Sequence, residues 1–545
     1  MRRRTFLKAL GGAALVGPFA CGDDGADDAP VGSGFDGGVA SDAGQVADGP
    51  APGDGATTND GASASDGAAA SDAATSATWD ARYDAALGAI PSDAKWVSTT
   101  GSDSAAGTQA APFKTIKKAL RSISGGGQVV IEDGTYEGAD NWINEITGPV
   151  PSGTAGKRTI IRAKNRFGVR IVQSARPSGY YESIVYLGPS SSYVWIDGIV
   201  AETTWAAAAA DDNASATVWD DGTHNRLTRI LVKKSSCSRY GGAFAYGRGA
   251  LLEDCHAVGS GRYMFFGGTG GDSAPAGAAV LRRCTSTMHF GPALEPSASF
   301  CFYGSNDGSY AECKDVLFAN CYEIDSPHLV GADADAVKWG SAYLPKSVRN
   351  VRFIGCGSLG SGAEYAAFRT DNYGGASDTL ASFVDCFVWG FTNGSPATAA
   401  AFGKASNGVV TADHCTTGSL PGPVNGGGVT ATNMLSAGVV HPVARVSGAG
   451  AEQRFAVGAF LSAWGDAGFD VPDASLPLWP FPYEADLAKL AAEPLTKPTT
   501  DKPTGVTSAK NPYAGNAKDG SPMTLTKRIW EAAGTAMPPY ASIYP

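Results

Sequence analysis

The sequence predicts an all-β solenoid, on three observations. First, the 545 residues include 72 Gly and only 17% charged residues. That composition suits short strands joined by tight turns rather than long helices. Second, short apolar runs recur, among them TIIRAK, VRIVQS, YVWIDGIV, RILVKK, ALLEDCHAV, AVLRRCTST, DVLFANCYEI, VRFIGCGSL and ASFVDCFVWG. Each is β-branched or aromatic and bounded by Gly, Ser, Asn or Asp, as strands are. Their spacing of roughly 20 to 37 residues, with no helical pattern in between, favours stacked coils over alternating strand–helix units. Third, Cys255, Cys284, Cys321, Cys356, Cys386 and Cys415 close the segments LLEDC, VLRRC, LFANC, RFIGC, SFVDC and TADHC, one pattern repeated. Stacked coils would line these thiols up inside, where a free Cys behaves as a small buried hydrophobe.

From the N-terminus, residues 1–21 read as an export leader: basic residues, an apolar run too short to span a bilayer, then Cys21. Arg3-Arg4-Thr5-Phe6-Leu7-Lys8 resembles the twin-arginine pattern. Cys21 after Ala20 resembles a lipoprotein acylation site, with Pro18 where Leu is usual. Cleavage nearby without a lipid is the other reading.

Residues 22–78 form a tract of Ala, Gly, Asp and Ser in which Asp recurs every six residues from Asp36 to Asp72. Almost nothing aliphatic is present to offset ordering entropy, so a disordered stalk is expected, about 40 Å in mean span. Of the net charge of −11, the leader contributes +4 and the tract −11, which leaves −4 on residues 79–545. With no basic stripe, nucleic acid is not an expected partner.

The solenoid is expected over residues 79–440, with its first strand near Trp96. The stretch PFKTIKKALRSI, with Pro112 at its start, predicts a short helix that covers the open end of the stack. Residues 441–545 leave the strand pattern and predict an irregular, partly helical C-terminal cap, with aromatics such as Phe481 packing back on the coils. Nine cysteines follow Cys21, and nine cannot all pair. Cys301 and Cys313, outside the repeated pattern, are left open as a possible pair.

The segment GSDSAAGTQAAPFKTIKKAL, followed by GGGQVVIEDGTY, is similar to the start of many pectate-lyase-like proteins. Over about residues 96–440 the repeat resembles the right-handed parallel β-helix superfamily. That resemblance implies the fold and leaves activity open, because β-helices host lyases, hydrolases, epimerases and adhesins. GADADAVK with the following VRNVRFIGCGSLGSG resembles the central segment of the calcium-dependent pectate lyases of polysaccharide lyase family 9. This implies that Asp335 ligates calcium and that Lys338 is the motif lysine, with Asp333 where Asn is usual. AAAFGKASNG resembles the segment that carries the family's catalytic base, which implies that role for Lys404. The family's second acidic cluster is represented by Glu364 alone, with Asp371 as a candidate substitute beside Arg369. His328, near Asp333, is a candidate substrate contact. Strict alternation would put Asp335 and Lys338 on opposite faces of a strand, so a bend between them is required.

These residue types suit β-elimination from a uronate. Carboxylate-bound calcium neutralises the substrate carboxylate. A lysine near that cation can act as a neutral base. An arginine grips the carboxylate in a fork. The expectation is therefore an exported, monomeric lyase of an acidic polysaccharide. It would meet the membrane only through a lipid anchor, at the outer membrane or cell surface, or otherwise be periplasmic or secreted. Two alternatives stay open: a non-catalytic carbohydrate-binding or adhesive β-helix, and a glycoside hydrolase using paired carboxylates. So does the plainer reading of Asp333 and Asp335 as turn residues and of the lysines as solvated.

Overall fold

A computed structural model describes residues 77–176, 182–205, 216–234, 242–247, 249–260, 263–268, 279–290, 296–303, 314–324, 338–346, 349–359, 366–370, 380–389, 400–404, 409–415, 424–425, 429–434, 481–492 and 515–532. Among these residues, 31 strands form three parallel sheets of 12, 10 and 9 strands. The chain runs from the 12-stranded sheet to the 9-stranded, to the 10-stranded, and back. Each strand therefore pairs with its counterpart one coil away: Leu227, Leu252, Leu281 and Phe318 stand in register on successive coils. The protein is a right-handed parallel β-helix, with the hand that parallel crossovers almost always take.

One backbone device turns each coil. Between the 12-stranded and 9-stranded sheets a single residue adopts a left-handed conformation: Arg229, Asp254, Arg283, Asn320, Asp385 and His414 lie at φ between 50° and 54°. The N–H of each bend residue bonds to a carbonyl of the next coil, as from Asp254 to Arg282 at 3.1 Å and from Arg283 to Ala319 at 3.0 Å. The bend thus satisfies its own backbone while changing sheet.

Five of these bends are followed by a repeated cysteine and Arg229 by Ile230, while Cys356 follows a glycine bend, Gly355 at φ 63°; all of these following residues point inward. All six repeated cysteines are 0% exposed and belong to one continuous core. Each thiol donates to a carbonyl of the preceding coil, for example Cys284 to Leu252 at 3.5 Å and Cys356 to Phe318 at 3.4 Å. Cys301 is also buried, in the strand Pro296–Tyr303; Cys313 lies outside the described residues.

The N-terminal end is closed by the helix Ile116–Leu120, which buries Ile116, Ala119 and Leu120. Its start is built by the preceding turn. The Asp103 carboxylate accepts from the backbone N–H of Lys114 and Thr115 and from the Thr115 hydroxyl. Thr115 in turn caps the helix by accepting from the N–H of Lys118 at 3.2 Å. At Gly101 a Cβ would lie 2.2 Å from the Phe113 carbonyl oxygen, so this turn closes only on glycine.

A helix over residues 77–87 precedes the first strand and was not foreseen by an expectation that ordered structure starts near Trp96. It lies on the outer face of the 12-stranded sheet and buries Trp79, Tyr83 and Leu87. Its acidic residues pair with that face: Asp84 with Arg162 at 2.9 Å, and Asp80 with Arg166 at 3.0 Å and Arg229 at 2.7 Å. Residues 481–492 pack back on the solenoid along its flank. The helix Glu484–Ala492 follows buried Phe481 and Tyr483, and Asp486 pairs with Arg166. Phe481 meets His256 and Tyr322, with ring centroids 6.4 and 6.0 Å away. Among the described residues, no helix is long and apolar enough to cross a membrane.

Candidate functional site

The 10-stranded sheet carries the three basic residues singled out in the sequence. Its inner face is a column of stacked rings. Phe244, Phe265, Phe300, Tyr343, Phe368 and Phe402 occupy one register row across six coils. Successive ring centroids lie 4.7, 4.8, 4.9, 4.3 and 5.2 Å apart. The Tyr343 hydroxyl is not wasted inside, since it donates to the carbonyls of Cys321 at 2.6 Å and Gly357 at 2.9 Å. Sequence reading missed this column. Its signal was an aromatic residue recurring after small residues, as in PSASF, GSAY, EYAAF and TAAAF.

This column sets where the basic residues stand. Arg369 lies between Phe368 and Thr370, in the strand Ala366–Thr370, and pairs in register with Gly403. Lys404 ends the strand Ala400–Lys404 and pairs with Thr370. The two residues, distant in sequence, are therefore offset by one position on neighbouring strands, about 6 Å apart at Cα for ordinary strand spacing and rise. Lys338 opens the strand Lys338–Lys346, five residues before Tyr343, opposite Pro296. At about 3.3 Å per residue it stands roughly 16 Å from the aromatic row, on the side away from Lys404. The register sets Arg369 and Lys404 on neighbouring strands one position apart, which under strict alternation assigns them to opposite faces of the sheet, and it leaves Lys338 at the far edge. His328, Asp333, Asp335, Glu364, Asp371 and Cys21 lie outside the described residues. Among the described residues, no group of three or more His, Cys, Asp and Glu is placed to hold a metal ion. The carboxylates that would hold calcium lie outside them.

Acidic groups with displaced titration occur at the N-terminal coils of the same sheet. Asp220 is fully buried, and burial raises its pKa to about 7 against hydrogen bonds from Asn225 and the Gly222 N–H. Burial likewise raises Asp221 to about 6, opposed by the Trp219 indole, which donates to it at 2.7 Å. Asp220 is 0% exposed, so its charge bears on folding rather than on a polymer outside.

Comparison with known proteins adds three findings. Residues 99–142, which hold the end-closing helix and the first coil, match a family of proteins of unknown function, DUF1565. No curated protein sequence matches the chain. Solved structures with similar folds include the pectate lyase Pel9A, 12% identical, covering 63% of this chain and 78% of its own, at a TM-score of 0.38. A rhamnogalacturonan lyase is 15% identical, covers 60% of this chain and 73% of its own, and scores 0.35. The A-module of the Azotobacter vinelandii mannuronan C-5 epimerase AlgE6 is 12% identical over 59% of this chain and 94% of its own, and scores 0.31. Function on such a scaffold has to be argued from the residues of the site.

Proposed function

We propose that the protein is an exported lyase that cleaves an acidic, uronate-containing polysaccharide by β-elimination. The observation that carries this reading is that Arg369 and Lys404 fall on neighbouring strands of one sheet; because they stand one position apart, a turn at Lys404, where its strand ends, is required to bring it to the face of Arg369. A parallel stack presents such a sheet as a long track for a polymer, with one coil advancing about 4.8 Å. In the proposed reaction the Arg369 guanidinium grips the uronate carboxylate in a fork. The Lys404 amine, neutral when it acts, takes the C5 proton. The C5–H electron pair forms the C4–C5 double bond, the C4–O bond breaks, and the departing oxygen takes up a proton. Calcium held by Asp335, Asp333, Glu364 and Asp371 would supply neutralisation of the substrate carboxylate. His328 is proposed as a further substrate contact. Lys338, on the far side of the aromatic row, is proposed to meet the polymer rather than the reacting carbon. The same reading has the chain act as a monomer, anchored through acylated Cys21 at the outer membrane or cell surface.

The test is direct. The purified protein is given pectate, alginate and glycosaminoglycans in turn, with and without calcium. Release of unsaturated uronate, detected by its ultraviolet absorbance, is the expected result. Lys404→Ala should abolish it and Lys338→Ala should not. New reducing ends without that absorbance would mean hydrolysis. Retention of polymer without any product would mean a non-catalytic binding protein.

A further inference from the structure

Two segments from opposite ends of the fold meet on the flank of the solenoid at one residue, Arg166. It stands in the turn after the strand Thr159–Ala163, beside Phe167, whose φ of 60° is left-handed. Its Nε and Nη2 donate to the two oxygens of Asp80, on the helix over residues 77–87, at 3.0 and 3.1 Å. Its third nitrogen, Nη1, donates to Asp486 of the helix Glu484–Ala492. The same guanidinium lies 3.9 Å from the ring centroid of Tyr483, which immediately precedes that helix. One side chain thus holds a segment 86 residues before it and another 320 residues after it.

This arrangement makes the two docking events depend on each other. The Arg166 side chain is 12% exposed, so its charge needs partners there, and fixing so long a side chain costs rotamer freedom. The fork to Asp80 fixes both the plane and the direction of the guanidinium. Nη1 and the face towards Tyr483 are then already in place when the C-terminal segment arrives. Repulsion between Asp80 and Asp486 acts the other way. Two features weaken it. Arg229, which also holds Asp197, brings a second positive charge to Asp80 at 2.7 Å. The Asp486 side chain is 50% exposed, where water and salt screen its charge.

We infer that Arg166 is the pin of a latch that couples the two segments. Seating of the helix over 77–87 strengthens seating of residues 481–492, and by linkage the reverse holds to the same extent. The helix stands at the end of the tract rich in Ala, Gly, Asp and Ser. A pull or a cut there that lifts the helix therefore also loosens the C-terminal segment, and with it the Phe481 cover over His256 and Tyr322. The latch stands on its own residues and does not depend on the lyase reading.

Hydrogen exchange of the full chain, read by mass spectrometry, tests it, because peptides covering 77–87 and 481–492 report the opening of each segment separately. Asp486→Asn should speed exchange over 481–492 and also over 77–87, each by about fivefold or more. Asp80→Asn should do the same from the other end. The strand Leu380–Val384, remote from the latch, should keep the parent's rate in both variants. In an Arg166→Met background, Asp486→Asn should no longer change exchange over 77–87. The side chains of Asp80 and Asp486 are 31% and 50% exposed, so their variants still read the latch should Arg166→Met fail to fold. The inference is overturned if Asp486→Asn leaves exchange over 77–87 unchanged, or slows it, which would mean that the two carboxylates compete for Arg166. It is also overturned if the strand Leu380–Val384 speeds up equally, or if the effect on 77–87 persists in Arg166→Met protein.

Discussion

Arg283 holds Asp254 of the preceding coil through two hydrogen bonds, Nε to Oδ1 at 2.7 Å and Nη2 to Oδ2 at 3.0 Å. Both residues sit at the left-handed bend, both at φ 51°, and both are 0% exposed. The pair is one rung of a buried charge ladder. Glu253 also receives Arg283, and it receives Arg282 at 2.7 Å and Arg82 at 3.1 Å. Burial acts to raise the Glu253 carboxyl, but the charges of Arg282, Arg82 and Arg283 outweigh it and hold the group below the usual carboxylate range. The helix over 77–87 seals the ladder, with the Trp79 ring 3.9 Å from the Arg283 guanidinium and the Tyr83 hydroxyl donating to Asp254.

Breaking this pair from one side strands a buried charge. Arg283→Met should destabilise the protein by about 3–5 kcal/mol in denaturant unfolding. Adding Asp254→Asn should restore part of the loss, with a coupling of at least about 1 kcal/mol between the two sites. Strict additivity would show that the two side chains do not act as a pair.

Two buried groups should tilt stability with pH in opposite directions. Burial, and after it the charge of Arg283, lowers His256 from 6.5 to about 3. The unfolded chain therefore binds the extra proton first. The contribution of neutral His256 is complete above its unfolded pKa and is lost as pH falls towards its folded one, at no more than about 1.4 kcal/mol per pH unit. Asp220 runs the other way. Its folded pKa of about 7 exceeds the ordinary 3.8, so its contribution is complete at low pH and is lost as pH rises through that interval. Denaturation midpoints measured from about pH 4 to pH 8 check both signs. The two intervals overlap and their slopes oppose one another, so relative to the parent His256→Gln should make stability fall more as pH rises and Asp220→Asn should make it fall more as pH drops; a variant whose profile follows the parent's would remove the corresponding assignment.

The thiols of the core should be silent in the folded state. Burial pushes Cys255, Cys284, Cys321 and Cys386 well above the ordinary thiol range. Burial acts to raise Cys356 too, but hydrogen bonds from Cys321 and Cys386 instead lower it to about 5. All six repeated cysteines are 0% exposed, so a thiol-reactive chromophore should label none of them in native protein and all of them in denaturant, because no reagent reaches the enclosed sulfurs. Rapid native labelling at Cys321 would contradict the enclosed stack.

Phe368 connects folding to the proposed site. Its ring stacks between Tyr343 and Phe402 and it immediately precedes Arg369. Phe368→Ala should cost about 3–5 kcal/mol of stability and Phe368→Leu less. If Arg369 and Lys404 work together, Phe368→Leu should also slow release of unsaturated product while the protein remains folded. Unchanged rates would separate the column from the site.

The repeat of the coils was legible in the sequence because a parallel stack imposes the same local demand on every coil. An apolar strand, a bend and a small inward residue must recur, and LLEDC, VLRRC and SFVDC show that recurrence directly. The end-closing helix was legible for the same reason, since its capping contacts lie within a short stretch that includes Asp103 and Thr115. The charges were harder to read. Glu253-Asp254 and Arg282-Arg283 are visible as opposite pairs in successive repeats, but only the bend geometry places them against one another, buried. The flank was legible only in part: Phe481 was expected to pack back on the coils and does, whereas the helix over 77–87 was not expected. The helix over 77–87 and the segment around Asp486 meet at Arg166, across a separation that no local pattern reports.

The sequence by itself determined the class of fold, through the period of its strands and cysteines, because that information is local and repeated. Tertiary structure alone decided which distant residues became neighbours. Register set Arg369 and Lys404 on neighbouring strands and left Lys338 at the far edge, and packing of two distant segments on one flank brought Asp80 and Asp486 to Arg166. The physical reason is that contact between coils depends on strand order and alignment, which are settled by burial of the whole stack at once.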